Sequence, residues 1–134
     1  MACVLFLDDD HSRHALFRER AEELGYGSRY KMLYVYSAAQ AIEALQAHEG
    51  ELIRAFLDHD LSEADIMVAV GAPSQVPTGM TVVEHILTMK QPPVAVTVHS
   101  YNEAAAVEMC ARLSELGTID VRRVPFAVLL HKLA

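Results

Sequence analysis

A chain of 134 residues, just over half of them apolar, has material for one buried core and too little polarity for disorder. Its formal charge of −7 argues against broad binding to a nucleic-acid backbone, which needs clustered Lys and Arg, yet allows a small phosphate-bearing ligand held through a metal ion. No apolar run approaches the length of a bilayer span, and the first residues lack the basic region and cleavage site of a secretory signal, so a cytoplasmic protein with no membrane partner is expected.

Val4–Leu7 is a continuous apolar run, as in a strand buried on both faces, and it stops at Asp8-Asp9-Asp10. A helix is expected from about His11 to Leu24, with Phe17, Ala21 and Leu24 on one face and Gly25 and Gly27 as its stop. Lys31–Tyr36 reads as the second strand. Ser37 then caps a helix that carries Ala38, Ala41, Ile42 and Leu45 inward. Leu52–Leu57 is the third strand and ends at Asp58-His59-Asp60. Leu61–Thr78 holds Gly71, Pro73 and Pro77 around an apolar Ile66–Val70. It is long for a loop and is expected to be a lid, a hairpin, an interface patch for a second copy of the chain, or a tolerated surface insertion.

Gly79–Met89 is a helix stopped by Pro92-Pro93, and Val94–Val98 is the fourth strand, ending at His99-Ser100. Asn102 caps a helix carrying Ala106, Cys110 and Leu113. Ile119–Val124 is the fifth strand, and Phe126, Leu129, Leu130 and Leu133 form a last apolar stripe. Cys3 and Cys110 fall on apolar faces and in no CxxC pair, so both are expected to be buried, reduced thiols. His11, His14, His48, His85 and His131 read as helix-surface or boundary residues without a role.

Strands alternating with helices, with no repeat or linker between them, imply one α/β domain over residues 1–134 built on a five-stranded parallel sheet. Such sheets bind ligands beyond the carboxyl ends of their strands, where the strand order reverses. The polar clusters lie at three of those ends. In a sheet of order 2-1-3-4-5, Asp8 or Asp9 would meet Asp58, with His99 beside them. Carboxylates packed together repel one another unless a cation neutralises them, and an oxygen-rich set suits Mg²⁺ or Mn²⁺. Arg13 is placed to point back toward these acids from the first helical turn.

These residues resemble the receiver domain of response regulators, a flavodoxin-like fold. There an acidic pair after the first strand binds Mg²⁺, matched by Asp8-Asp9, and an aspartate after the third strand accepts a phosphoryl group, matched by Asp58. The match departs at two places. His99 replaces the hydroxyl residue that ends the fourth strand, and Val124 replaces the lysine that ends the fifth, with Arg122 two residues earlier as a partial substitute. The details are more similar to the cyclic-phosphate processing receiver-like domains. Leu7-Asp8-Asp9 with Arg13, Asp58-His59-Asp60-Leu61, Thr78-Gly79 and His99-Ser100-Tyr101-Asn102 carry that resemblance.

The resemblance implies a metal-dependent phosphoesterase acting on cyclic phosphates of nucleotides or of RNA ends. Asp8, Asp9 and Asp58, with Asp60, would hold the metal, and His59 or His99 would be the general acid or base. Ser100, Asn102, Arg13 and Arg122 would bind phosphate oxygens. The alternative is a non-catalytic module that binds a metal, a nucleotide or a protein partner. A nuclease-like site is disfavoured by the acidic charge.

Overall fold

The computed structural model describes residues 1–61 and 77–133. Its elements in chain order are β1 (Cys3–Leu7), α1 (His11–Glu23), α2 (Tyr26–Arg29), β2 (Lys31–Val35), α3 (Ala38–Ala47), β3 (Leu52–Leu57), α4 (Gly79–Thr88), β4 (Ala95–Val98), α5 (Glu103–Ser114), β5 (Asp120–Arg123) and α6 (Phe126–Lys132). The strands form one sheet of order β2-β1-β3-β4-β5, and every pairing is parallel. This is the expected topology, with β1 and β3 adjacent where the order reverses.

β1 is buried along its whole length because it has a strand on each side and helices on both faces. Its side chains alternate between two cores. Cys3, Leu5 and Leu7 join Ala41, Leu45, Val82, Ile86, Met109 and Leu113 from α3, α4 and α5. Val4 and Phe6 join Phe17, Ala21, Tyr26, Phe56, Phe126 and Leu129 on the side of α1, α2 and α6. An apolar residue at every position of β1 is therefore what its central place requires. The last stripe docks as expected, with Phe126, Leu129 and Leu133 all buried.

Three expectations are corrected. The stretch after Gly25 is not a plain break: Gly25, at φ 76°, caps the short α2, which forms because Tyr26 turns its ring into the core. His14 is buried rather than on the surface, since α1 turns it toward Phe6 and Tyr36. Cys110 is only half-buried, although both cysteines are free thiols. Of the Leu61–Thr78 insertion, Leu61 is buried in the core, while the expected lid or self-contact falls largely on residues 62–76, outside the described residues. Among the described residues no helix is long and apolar enough to cross a membrane.

Candidate metal and phosphate site

The sheet ladder runs one residue past β1, β3, β4 and β5. The Asp8 N–H donates to the Val35 carbonyl, Asp58 to Leu7, His99 to Leu57 and Val124 to Val98. Asp8, Asp58, His99 and Val124 thus stand in one row along the carboxyl edge, set there by strand register. Asp8 is fully buried and Asp58 nearly so. Carboxylate oxygens of Asp8, Asp9 and Asp58 all lie within 4.8 Å of one another.

Among the described residues, Arg13 brings a guanidinium to this cluster. Arg13 donates from Nε to Asp8 Oδ2 at 2.7 Å and from Nη2 to Asp8 Oδ1 at 2.9 Å. Its Nη2 is also 3.7 Å from both Asp9 and Asp58. Asp10 fixes the arginine's backbone by capping α1, accepting from the N–H groups of Ser12 and Arg13. The hydrogen bonds to Asp8 raise the Arg13 pKa further, so it stays a cation. Three carboxylates against one guanidinium leave uncompensated negative charge. Burial, and then the neighbouring Asp8, push the Asp58 carboxyl up to about 7.

Two histidines hold the end of β1 from either side. His99 is buried, stacks on Phe6 at 5.1 Å and meets the Leu7 carbonyl through Nε2 at 3.2 Å. His14 meets the Asp8 carbonyl through Nε2 at 2.8 Å. Burial pushes the His99 pKa down to about 4 and lowers that of His14, so each is a neutral ring donating Nε2–H to a backbone oxygen. His99 Nδ1 then lies 3.7 Å from Asp8 Oδ2.

The remaining expected residues divide. His59 stands at the rim, with Nδ1 2.7 Å from Asp60 Oδ1. Asp60 is therefore not gathered with Asp8, Asp9 and Asp58: its exposed carboxylate meets His59 and the Asn102 amide. Ser100 is buried and accepts the Asn102 N–H, while Asn102 caps α5 by accepting from Ala105. Much of the His-Ser-x-Asn segment is thus a helix-entry device. Arg122 does not reach the site. It projects from β5, pairs with Asp120, and lines a groove with Arg54, Arg123 and Lys132, because its place in the strand precedes the carboxyl edge. His14 is the site residue that sequence reading missed. Its available signal was its position on the same face of α1 as Phe17 and Ala21, which are three and seven residues on.

Thr78-Gly79 acts through the backbone. Thr78 and Thr81 form a reciprocal capping box that starts α4, and Gly79 N–H donates to the His59 carbonyl at 2.9 Å. A Cβ at Gly79 would lie 2.0 Å from the Asp58 carbonyl oxygen. Gly79→Ala is therefore expected to displace the Asp58–His59 loop. Thermal unfolding should show a loss of about 1–3 kcal/mol, and Mg²⁺ titration should show weaker binding.

Residues 3–115 match the family described as the cyclic-phosphate processing receiver domain. Among solved structures the chain is similar to the bacteriophytochrome response regulator AtBRR, with a TM-score of 0.60 and 14% identity over 98% of this chain and 89% of that one. It is also similar to the bacteriophytochrome response regulator RtBRR, at 0.58 and 21% over 98% and 75%, and to a de novo designed Rossmann 2x3 fold protein, at 0.55 and 16% over 93% and 79%. At these identities the structures establish the fold alone. A comparison with curated proteins gives no match.

Proposed function

This chain belongs to the cyclic-phosphate processing receiver domain family, and from that premise we propose that it is a metal-dependent phosphoesterase acting on a cyclic phosphate of a nucleotide or an RNA end. The observation that carries this reading is the buried Asp8–Asp58 pair, packed with Asp9 against Arg13 among the described residues. The missing positive charge is what a divalent ion supplies, and an all-oxygen donor set suits Mg²⁺ or Mn²⁺. Asp8, Asp9 and Asp58 would hold that ion. When bound, it polarises phosphoryl oxygens and makes a coordinated water more acidic.

The chain's own groups supply the rest. Arg13 keeps a fixed positive charge beside Asp58, where a phosphoryl oxygen would be drawn. His59 is the proton carrier. With its Nδ1–H directed to Asp60, its Nε2 lone pair takes a proton from water. The water oxygen bonds to phosphorus, one ring P–O bond breaks, and the freed alkoxide takes that proton back from His59 Nε2, so the ring ends neutral again. Asp60 is then a positioning residue that sets the His59 tautomer. His99 positions Leu7 and Asp8, because a sealed ring with a depressed pKa is a poor proton carrier.

Two observations favour a second reading, a receiver-like module that binds a phosphate-bearing ligand or a partner without turnover. His99 is buried, and Val124 ends the row where a receiver's lysine would stand. The test incubates the protein with Mg²⁺ or Mn²⁺ and a panel of 2′,3′-cyclic and 3′,5′-cyclic nucleotides, cyclic dinucleotides and cyclic-phosphate RNA ends, with products read by mass spectrometry. Metal-dependent ring opening is expected. It should be abolished in Asp58→Asn and reduced by about 100-fold or more in His59→Ala. Retained ligand without product would replace the esterase by the binding module.

A further inference from the structure

A second group of metal-ligating side chains lies at the opposite, amino-terminal edge of the sheet. Cys3 opens β1, His48 is the C-cap of α3, and Glu51 immediately precedes β3. Cys3 Sγ is 3.7 Å from His48 Nδ1, and His48 Nδ1 is 3.3 Å from Glu51 Oε1. All three donor atoms lie within 4.8 Å of one another. We propose that Cys3, His48 and Glu51 form a zinc site independent of the acidic cluster at the carboxyl edge.

The spacing matches the ion. Zinc bonds of about 2.3 Å to sulfur and about 2.0 Å to nitrogen and oxygen put S and N about 3.5 Å apart, and N and O about 3.3 Å apart, in a tetrahedron. The observed separations need little adjustment. The backbone beneath is already linked: Cys3 N–H donates to the Glu51 carbonyl at 2.8 Å, and Glu51 N–H to the His48 carbonyl at 2.9 Å. Gly50, at φ 84°, makes the turn that brings Glu51 back beneath His48. The start of β1 and the α3–β3 turn are therefore already joined by backbone bonds, and binding orders few further groups.

The donor chemistry selects the metal. A thiolate, an imidazole and a carboxylate form a mixed soft set that prefers Zn²⁺ to Mg²⁺. Uptake expels the Cys3 thiol proton to solvent, His48 binds as the neutral ring, and Glu51 binds as the carboxylate. Two negative ligands thus balance the dication. The Glu51 side chain is 53% exposed, so the fourth position opens to water. Such a site clamps the start of β1 to the α3–β3 turn.

Cobalt(II) titration of the metal-stripped chain tests this proposal, because a thiolate ligand gives a sulfur-to-cobalt charge-transfer band and four-coordination gives intense visible bands. Wild type, Asp58→Asn and Cys110→Ser should all show both, with one equivalent of zinc displacing the cobalt. Cys3→Ser should lose the charge-transfer band. His48→Ala and Glu51→Gln, nearer the surface, should fold as judged by circular dichroism and weaken binding by at least about tenfold. The proposal is overturned by the absence of a charge-transfer band in wild type or by its survival in Cys3→Ser. Unchanged cobalt affinity in both His48→Ala and Glu51→Gln would overturn it equally.

Discussion

Asp58→Asn is expected to make the metal-free protein more stable above neutrality by about 2–4 kcal/mol, at about 1.4 kcal/mol for each unit by which the folded-state pKa is raised. The sign follows from linkage. The Asp58 carboxyl is raised from 3.8 to about 7, so the folded state keeps a proton that the unfolded state has already lost. The cost of ionising it is absent below about pH 4, accumulates as the pH rises toward 7, and is complete above that. The stability difference between variant and wild type should follow the same course, near zero at pH 4 and maximal by pH 8.

Measuring the difference matters because His99 acts in the opposite direction. Its folded pKa, lowered from 6.5 to about 4, costs stability as the pH falls below 6.5. In wild type the two slopes nearly cancel between pH 4 and 6.5. Asp58→Asn should expose the histidine slope as a loss of stability on acidification. The same substitution should remove most of the stabilisation that Mg²⁺ gives wild type at pH 8. Denaturant unfolding across pH, with and without Mg²⁺, reads all of this. A variant no more stable than wild type at pH 8 would mean that burial and the neighbouring Asp8 do not hold the Asp58 carboxyl above its usual range in the metal-free protein.

Arg13→Ala should have the opposite effect. It strips the buried Asp8 of both guanidinium hydrogen bonds and leaves the Asp10 N–H, at 2.9 Å, as its remaining donor among the described bonds. Stripping the partner from a buried charge typically costs about 3–5 kcal/mol, and because Arg13 is partly exposed while Asp8 is fully buried, the lower end of that range is expected. The vacated site is more negative, so Mg²⁺ should bind more tightly than in wild type. At a concentration about 100 times its dissociation constant, Mg²⁺ should restore about 2.7 kcal/mol. Arg13→Lys should recover only part of the loss, since an ammonium cannot donate to both Asp8 oxygens in the fork geometry. Denaturant unfolding alongside Mg²⁺ titration separates the two roles of Arg13. A loss below about 1 kcal/mol would place this pair among weak surface ion pairs.

The architecture was legible in the sequence because the signals that specify it are local. A strand buried on both faces must be apolar at every position, as Val4–Leu7 is, and helices between such runs leave a parallel sheet as the arrangement that buries both. Acids directly after the strands at Asp8 and Asp58 were legible for the same reason, since strand ends fix where the chain leaves the sheet. That Asp8 or Asp9 would meet Asp58 followed from strand order, and Arg13 followed from one turn of helix.

Tertiary structure decided everything that depends on direction and distance between remote residues. Asp58-His59-Asp60 looks like one acidic unit in sequence, yet Asp58 turns inward to Asp8 while Asp60 turns outward to His59 and Asn102. Nothing in a single sequence fixes which way a side chain leaves a loop. Arg122, a plausible stand-in for a missing lysine, is carried away because its strand position lies below the carboxyl edge. In sequence His14 reads as a boundary residue without a role and His99 as a candidate acid or base, yet burial makes both neutral braces on the Leu7–Asp8 backbone. Cys3, His48 and Glu51 carried no common signal, since 45 residues separate the first two and only the fold brings them together. Periodicity and turn chemistry act between neighbours in the chain and set the scaffold. Charge compensation and desolvation act through space, and they assign the site residues their roles.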